Sequence, residues 1–205
     1  MPERGPRLRH IRRFGTPLPG LSRKEPDWKQ YPPGQHGQGG QRRKKQSEYG
    51  RQLMEKQKLR LNYGVSERQL RNYLARALHA PGVTGESLLA LLERRLDNVV
   101  FRLGIAPTIP SARQLVGHGH VRVNGKKVDR SGYLVEVGDV VTVSDKARDN
   151  PGVIDSVQRG PQVRLPGFLA LDPSDKFTGR VVTTPSRPDV PLVVDEAAVV
   201  EFYAR

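Results

Sequence analysis

The chain has 205 residues, 36% of them hydrophobic, with 21 glycines and 17 prolines, so its core is modest and its loops are many. Lys and Arg outnumber Asp and Glu by 35 to 21, a formal net charge of +14 with a pI near 10.5. It contains no cysteine, which excludes disulfides, thiolate metal sites and cysteine nucleophiles.

The charge is unevenly placed. Residues 1–72 hold 18 basic and 6 acidic side chains, a net of +12, whereas the remaining 133 residues carry a net of only +2. Charge this concentrated repels itself until an anionic partner neutralises it, and a phosphate backbone is the expected partner. The five histidines (His10, His36, His79, His118 and His120) lack metal-motif spacing, so neither a metal nor a cofactor is expected. No apolar run approaches the roughly 20 residues that span a bilayer. The N-terminus lacks the apolar segment of a signal peptide, so a cytoplasmic location is expected.

Residues 1–46 are rich in Arg, Pro, Gly and Gln and show neither helix nor strand period, with Pro17, Pro19, Pro26, Pro32 and Pro33 as breakers. Such a segment buries too little apolar surface to offset its ordering entropy, and order against a partner is expected. Phe14, Trp28 and Tyr31 are candidates to stack on bases or to anchor the segment to a helix. Arg42, Arg43, Lys44 and Lys45 form a candidate phosphate-contact run.

From Ser47 to Tyr63 the composition is helical, ending at Gly64. Ser66 with Gln69 reads as a capping box ahead of an amphipathic helix carrying Leu70, Tyr73, Leu74, Ala77 and Leu78. After Pro81-Gly82, Thr84 caps an apolar stripe from Leu88 to Leu103, which reads as one long helix or two joined near Glu93. Ser111 is expected to cap the next helix, with Gln114 at the fourth position, and Gly117 to Gly119 to end it. Val121-Arg122-Val123 and Lys126-Lys127-Val128 flank Asn124-Gly125, a strong hairpin signal because both turn residues tolerate positive φ. Tyr133–Val137 and Val140–Val143 alternate as strands across Gly138-Asp139.

Past Asp145 the pattern is loop-like, with short strands expected at 165–171 and 180–184. Asp195 caps a final helix of about nine residues, marginal alone and therefore expected to dock on the N-terminal helices. The fold class is α+β: a helical N-terminal domain with an inserted small module of two helices on a mostly antiparallel sheet, and a C-terminal segment returning to the helical domain. The expected divisions are 1–46, then 47–93 with about 165–205, with 94–157 inserted.

No catalytic constellation assembles. GQHGQGGQ is glycine-rich but is neither a Walker A loop nor a dinucleotide fingerprint. Asp139, Asp172, Asp175 and Asp189 sit in turn contexts that explain them. Ser111, Arg113, Gln114, His118, His120, Arg122, Lys126 and Lys127 cluster within 17 residues, with Asn124 on the same hairpin. Arg113 and Gln114 fall in a helix's first turn, where free N–H groups already favour phosphate. Backbone and shape recognition of structured RNA suits this set better than base-by-base DNA reading. Arg51, Lys58, Arg68 and Arg71 complete the candidate RNA-binding set from the preceding helices.

LERRLDNVVFRLGIAPTIPSARQLVGHGHVRVNGKKV (Leu92–Val128), continued by VxxGDxVxV at 135–143, closely resembles the RNA-binding module shared by the fourth small-subunit ribosomal protein and several RNA-modifying enzymes. The flanks YGVSERQLRNYLARA, TGESLLALLERRLDNVVFRLG and VDEAAVVEFYAR resemble the ribosomal family, in its bacterial, cysteine-free form, over roughly residues 40–205. The resemblance implies a primary binder of 16S rRNA that nucleates assembly on the 5′ domain. It also implies a place near the channel by which mRNA enters, and an influence on decoding accuracy with the fifth small-subunit protein. Some relatives carry four N-terminal cysteines that hold zinc; this sequence has none. The rival from another class is a pseudouridine synthase, because Arg95-Leu96-Asp97 echoes the motif around its catalytic aspartate. A stand-alone RNA-binding regulator is a third reading.

Overall fold

The computed structural model describes residues 7–24, 31–35, 37 and 47–204. The chain divides into two compact units, one made of residues 1–85 and 192–205, the other of residues 86–191.

The first unit is helical. α1 (Arg7–Phe14) forms where the sequence pattern suggested no helix. The prolines that argued against it, Pro17 and Pro19, lie beyond its end, and Ile11 is its one buried anchor. Leu18 and Leu21 are buried after it, and the Gly20 amide donates to Asn62 Oδ1 at 3.2 Å, so residues 7–24 fold onto their own neighbours.

α2 (Glu48–Asn62) starts at Ser47, whose hydroxyl accepts from the Gly50 amide. α3 (Glu67–Leu78) carries the expected capping box: Ser66 Oγ accepts from the Gln69 amide and Gln69 Oε1 accepts from the Ser66 amide. Each closes an amide that the first helical turn leaves open. The C-terminal helix, Glu196–Tyr203, is capped by Asp195 and lies along α2. Gln52 donates to Glu201 at 3.0 Å, the Asp195 amide donates to Glu55 at 3.1 Å, and Tyr203 donates to Glu67 at 2.7 Å. Eight residues are too few to hold a helix in water, so these contacts and the buried Ala198 and Val199 keep it formed.

Burial pushes the Glu67 carboxyl up, but the Tyr203 hydroxyl and the Lys56 ammonium at 3.0 Å outweigh it and hold it below its ordinary value. The Ala198 amide, with help from Arg51, holds Asp195 low as well.

The second unit surrounds a small sheet. The apolar stripe resolves into two helices, α4 (Thr84–Glu93) and α5 (Leu96–Arg102). The break falls at Arg94-Arg95 because the segment 131–135 takes the hydrogen bonds there. The Leu96 amide donates to the Tyr133 carbonyl at 2.8 Å, and the Val135 amide donates to the Arg94 carbonyl at 2.9 Å. This also explains why Tyr133–Val137 is not a strand: its backbone is spent on the helix junction, leaving only a bridge between Arg95 and Leu134.

α6 (Ile109–Gly117) is capped by Thr108, not Ser111. Thr108 Oγ1 accepts from the Ser111 amide at 3.3 Å, and Pro110 occupies the first turn, where a missing amide costs nothing. Ser111 therefore lies inside the helix.

Five antiparallel strands follow in spatial order β2-β1-β3-β5-β4. They are β1 (Val121–Val123), β2 (Lys126–Lys127), β3 (Val140–Val143), β4 (Leu169–Leu171) and β5 (Thr178–Val181). Asn124 (φ 50°) and Gly125 (φ 77°) make the turn between β1 and β2, as their sequence predicts. β3 pairs with β1 and β5, so the sheet extends past residue 165, where the sequence pattern placed the return to the helical part. Val121, Val123, Val141, Val143 and Val181 line the buried face, where Leu103 seats against Gly179. Arg122, Lys127, Thr142, Thr178 and Arg180 fall on the opposite face by their pairing register.

Two helices stand where loop was expected, α7 (Asp145–Arg148) and α8 (Pro151–Arg159). Asn150 caps α8, its Oδ1 accepting from the Gly152 amide, and Pro151 takes the first helical position. The C-terminal helix of the first unit is numbered α9.

Two measurements check this fold. Gly104 and Gly138 both adopt positive φ, a conformation that costs other residues about 1–2 kcal/mol. A methyl on Gly104 would also lie 2.7 Å from the Pro161 nitrogen, whereas one on Gly138 meets open space. Urea denaturation of Gly104→Ala should thus show a clearly larger loss than Gly138→Ala. A carboxyl whose folded pKa lies below its unfolded value contributes stability above that value and loses it as pH falls through the folded pKa. Melting temperature should therefore drop as pH falls below about 4, and Glu67→Gln should make the drop shallower.

Candidate nucleic-acid interface

The site begins with two carboxylates from which water is excluded. Glu93 is 1% exposed and Asp97 is 0% exposed. Glu93 is gripped by Arg102 at 2.8–3.1 Å and by the Asn98 amide group at 2.7 Å. Asp97 accepts from Arg95 Nε at 3.0 Å and Nη2 at 2.7 Å, from Arg113 Nε at 3.0 Å, and from the Asn98 backbone amide at 3.0 Å. A carboxylate occupied on both oxygens, with no water beside it, is not available as a nucleophile or base. The echo of a catalytic aspartate at Asp97 is thereby accounted for by structure.

These pairs set what faces outward. Arg113 joins α6 to α5 through Asp97 and stays 29% exposed at its side chain. Gln114 is exposed one residue on, and Ser111 is half-buried in the first turn. At the other end of α6, His118 is exposed and His120 half-buried, their rings 6.0 Å apart and edge-on. Lys127 crosses directly over Gly119, where any side chain would collide with it. This lays the ammonium stem at the helix C-terminus, the end whose carbonyls favour a cation.

Arg122, Asn124, Lys126 and Lys127 are all exposed on the hairpin. Asn124 holds the turn itself: its side chain accepts from the Val140 amide at 2.9 Å and donates to Asp139 at 2.7 Å. The structure thus gathers His118, His120, Arg122, Lys126 and Lys127 around the α6 end and the hairpin; because α6 begins at Ile109, only Ser111 lies in its first turn, and Arg113 and Gln114 fall in the second turn, past the free N–H groups expected beside them.

The first unit contributes differently. Arg68 and Arg71 are exposed on α3, Arg71 lying 3.9 Å from Glu67 and over the Tyr203 ring. Arg51 pairs with Glu48 and Asp195, and Lys58, 12% exposed at its side chain, pairs with Glu55 at 2.6 Å. These two are engaged within the unit. Arg12 reaches the Tyr31 carbonyl at 3.1 Å and covers the Tyr31 ring, which favours an anchoring role for that ring. Arg42, Arg43, Lys44, Lys45 and Trp28 lie outside the described residues.

The sequence pattern passed over Arg7, Arg9 and Arg13 on α1, Arg76 on α3, and Arg130 and Arg180 in the second unit, all exposed. Arg180 was findable: it alternates with buried Gly179 and Val181. Among the described residues no group of three or more His, Asp or Glu is placed to hold a metal ion. What the surface offers is a set of cations, amides and hydroxyls, the chemistry that binds a polyanion.

Residues 3–93 match the sequence pattern of the ribosomal protein S4/S9 N-terminal domain, and residues 94–141 match that of the S4 domain. Over 202 residues the chain is 55% identical to the small ribosomal subunit protein uS4 of Thermosynechococcus vestitus, a span covering 98% of this chain and 97% of that one. It is 52% identical to the uS4 proteins of Synechocystis sp. and Nostoc punctiforme over the same length and coverage.

Removing the Asp97 charge strands two arginines. Asp97→Asn should cost about 3–5 kcal/mol in urea denaturation, whereas Arg122→Ala, on the exposed strand face, should change stability by no more than about 0.5 kcal/mol.

Proposed function

The chain belongs to the family of the small ribosomal subunit protein uS4, and from that membership we propose that it binds 16S rRNA directly, as a primary binder within the 5′ domain. The family is structural, not enzymatic. The protein's working place is accordingly the ribosome, in the cytoplasm. Binding there holds the RNA of the subunit body in its folded arrangement and so nucleates assembly. Beside the channel by which mRNA enters, and against the fifth small-subunit protein, it contributes to translational accuracy.

The observation that carries the RNA-binding reading is the separation of roles among the charged residues. The acids of the second unit's core are buried and paired with the buried Arg95 and Arg102 and the part-exposed Arg113, while Arg122, Lys126 and Lys127 project from a hairpin whose turn is fixed by Asn124. A rigid set of exposed cations suits phosphates held at fixed positions in a folded RNA. Ser111, Arg113, Gln114, His118, His120, Arg122, Asn124, Lys126 and Lys127 make up the contact set on the module. Arg68 and Arg71 on α3, the run Arg42, Arg43, Lys44 and Lys45, and Arg51 and Lys58 extend it on the other unit. Residues 86–191 serve as the RNA-binding module set into the helical part.

The test is binding of the purified chain to fragments of small-subunit rRNA with footprinting, followed by an assay for uridine modification. A compact protected site in the 5′ domain and unmodified uridines are expected. Protection scattered over the RNA, or any modified uridine, would overturn the reading.

A further inference from the structure

The five-stranded sheet has two faces, and the contact set given above uses only its hairpin end. On one face Leu103, at the end of α5, seats against Gly179. The pairing register turns Arg122, Thr142, Thr178, Arg180 and Ala170 to the other. Arg122, Ala170 and Arg180 are exposed there, and Thr142 and Thr178 are half-buried, so this face is open to solvent. Its β4 and β5 side lies outside both stretches that match a family pattern, residues 3–93 and 94–141.

The middle of the open face is satisfied from within. Burial pushes the Asp175 carboxyl up, but the Thr178 hydroxyl, the Phe177 amide and Arg148 outweigh it and hold it below its ordinary value. An ionised carboxylate only accepts, so Thr178 gives its proton to Asp175 at 2.8 Å. The 2.7 Å contact between the two threonine hydroxyls must then take its proton from Thr142. Arg148 donates to Asp175 at 2.7 Å and lies over the Phe177 ring. Asp172, at the end of β4, turns its Oδ1 to the Ser174 amide at 2.8 Å. Both hydroxyl protons and Arg148 are therefore committed, and the threonine pair clamps β3 to β5.

Arg122 and Arg180 are left to meet a ligand. Among the described residues no carboxylate pairs with either, Arg148 having taken Asp175. Their Cα atoms lie roughly 12 Å apart, two strand spacings across and two residues along. Two guanidinium groups at a fixed separation on a stiff floor suit an anion whose charges repeat, a phosphate backbone, better than a single small ion. A strand face has nothing projecting to enter a deep groove. It suits the wide, shallow minor-groove side of an A-form RNA helix, whose phosphates border an accessible surface.

We propose that the open sheet face is a second RNA contact surface, Arg122 and Arg180 each meeting a phosphate of one structured segment across the Thr142–Thr178 pair. The proposal rests on the RNA-binding reading above and adds Arg180, a cation outside that contact set.

The test uses the full chain and a fragment of small-subunit rRNA covering the 5′ domain. Arg180→Gln nearly keeps the side chain's reach and removes its charge. It should flatten the slope of log K against log salt by about 0.7–0.9, with an unchanged urea unfolding curve. Arg180→Lys should restore the wild-type slope. Because the sequence holds no cysteine, Ala170→Cys, opposite Arg180 on β4, gives a unique attachment point for a chelated iron. Hydroxyl radicals released there should cut the bound RNA at one compact site. An unchanged slope in folded Arg180→Gln would overturn the proposal and leave the hairpin contacts standing. So would uncut RNA in a labelled Ala170→Cys complex of wild-type affinity. Wild-type chain that fails to bind the fragment would sink the RNA-binding reading itself.

Discussion

Two buried carboxylates constrain the second unit. An ionised carboxylate without water is tolerated only when both oxygens are hydrogen-bonded and its charge is matched. Glu93 and Asp97 meet that condition through Arg102, Arg95 and Arg113, residues drawn from α5, its N-cap and α6. The pairs therefore tie α4 to α5 across the break in the apolar stripe, and α6 to α5. They also occupy arginines that would otherwise count toward the net positive charge at the surface. A near-balanced tally for residues 73–205 hides an inside where charges cancel and an outside where cations remain.

The outside is held by backbone more than by side chains. Lys126, Lys127 and Arg122 sit on strands only two and three residues long, which would slip if register were free. Asn124 and Gly125 remove that freedom by adopting positive φ, and the Asn124 side chain ties the turn to Asp139 and Val140. The first unit solves a different problem. Its high positive charge coexists with a C-terminal helix too short to persist alone, and Tyr203, Glu201 and Asp195 hold that helix against Glu67, Gln52, Glu55 and Arg51. Some of the unit's cations are thus used in its own cohesion, while Arg68 and Arg76 remain exposed.

Much of this was legible in the sequence, for identifiable reasons. Local devices with short reach read well: the Ser66–Gln69 box, the Asn124-Gly125 turn, the Asp195 cap. Readings failed where a tertiary partner decided the outcome. Tyr133–Val137 has strand alternation, yet its amides and carbonyls serve the α4–α5 junction. Ser111 is a fair cap by type, but Pro110 and Thr108 moved the helix start forward. The stretch past Asp145 read as loop yet forms α7 and α8, and Ile11 anchored a helix within a segment judged too polar to form one. For the interface, residue types and the cluster were visible. That Arg113 is bound to a buried acid, Arg51 and Lys58 to surface acids, and Lys127 laid over Gly119 was not, because those pairings depend on distances set by the fold.

The central claim is that exposed, rigidly held cations on the hairpin contact phosphates, while the buried arginines do not. The most direct measurement is the dependence of rRNA affinity on salt concentration. Each phosphate contact contributes about 0.7–0.9 to the slope of log K against log salt. The triple variant Arg122→Ala, Lys126→Ala, Lys127→Ala should flatten the slope by about two to three units while its unfolding curve stays unchanged. An unaltered slope in a fully folded variant would show that these cations are merely solvated, and would contradict the account.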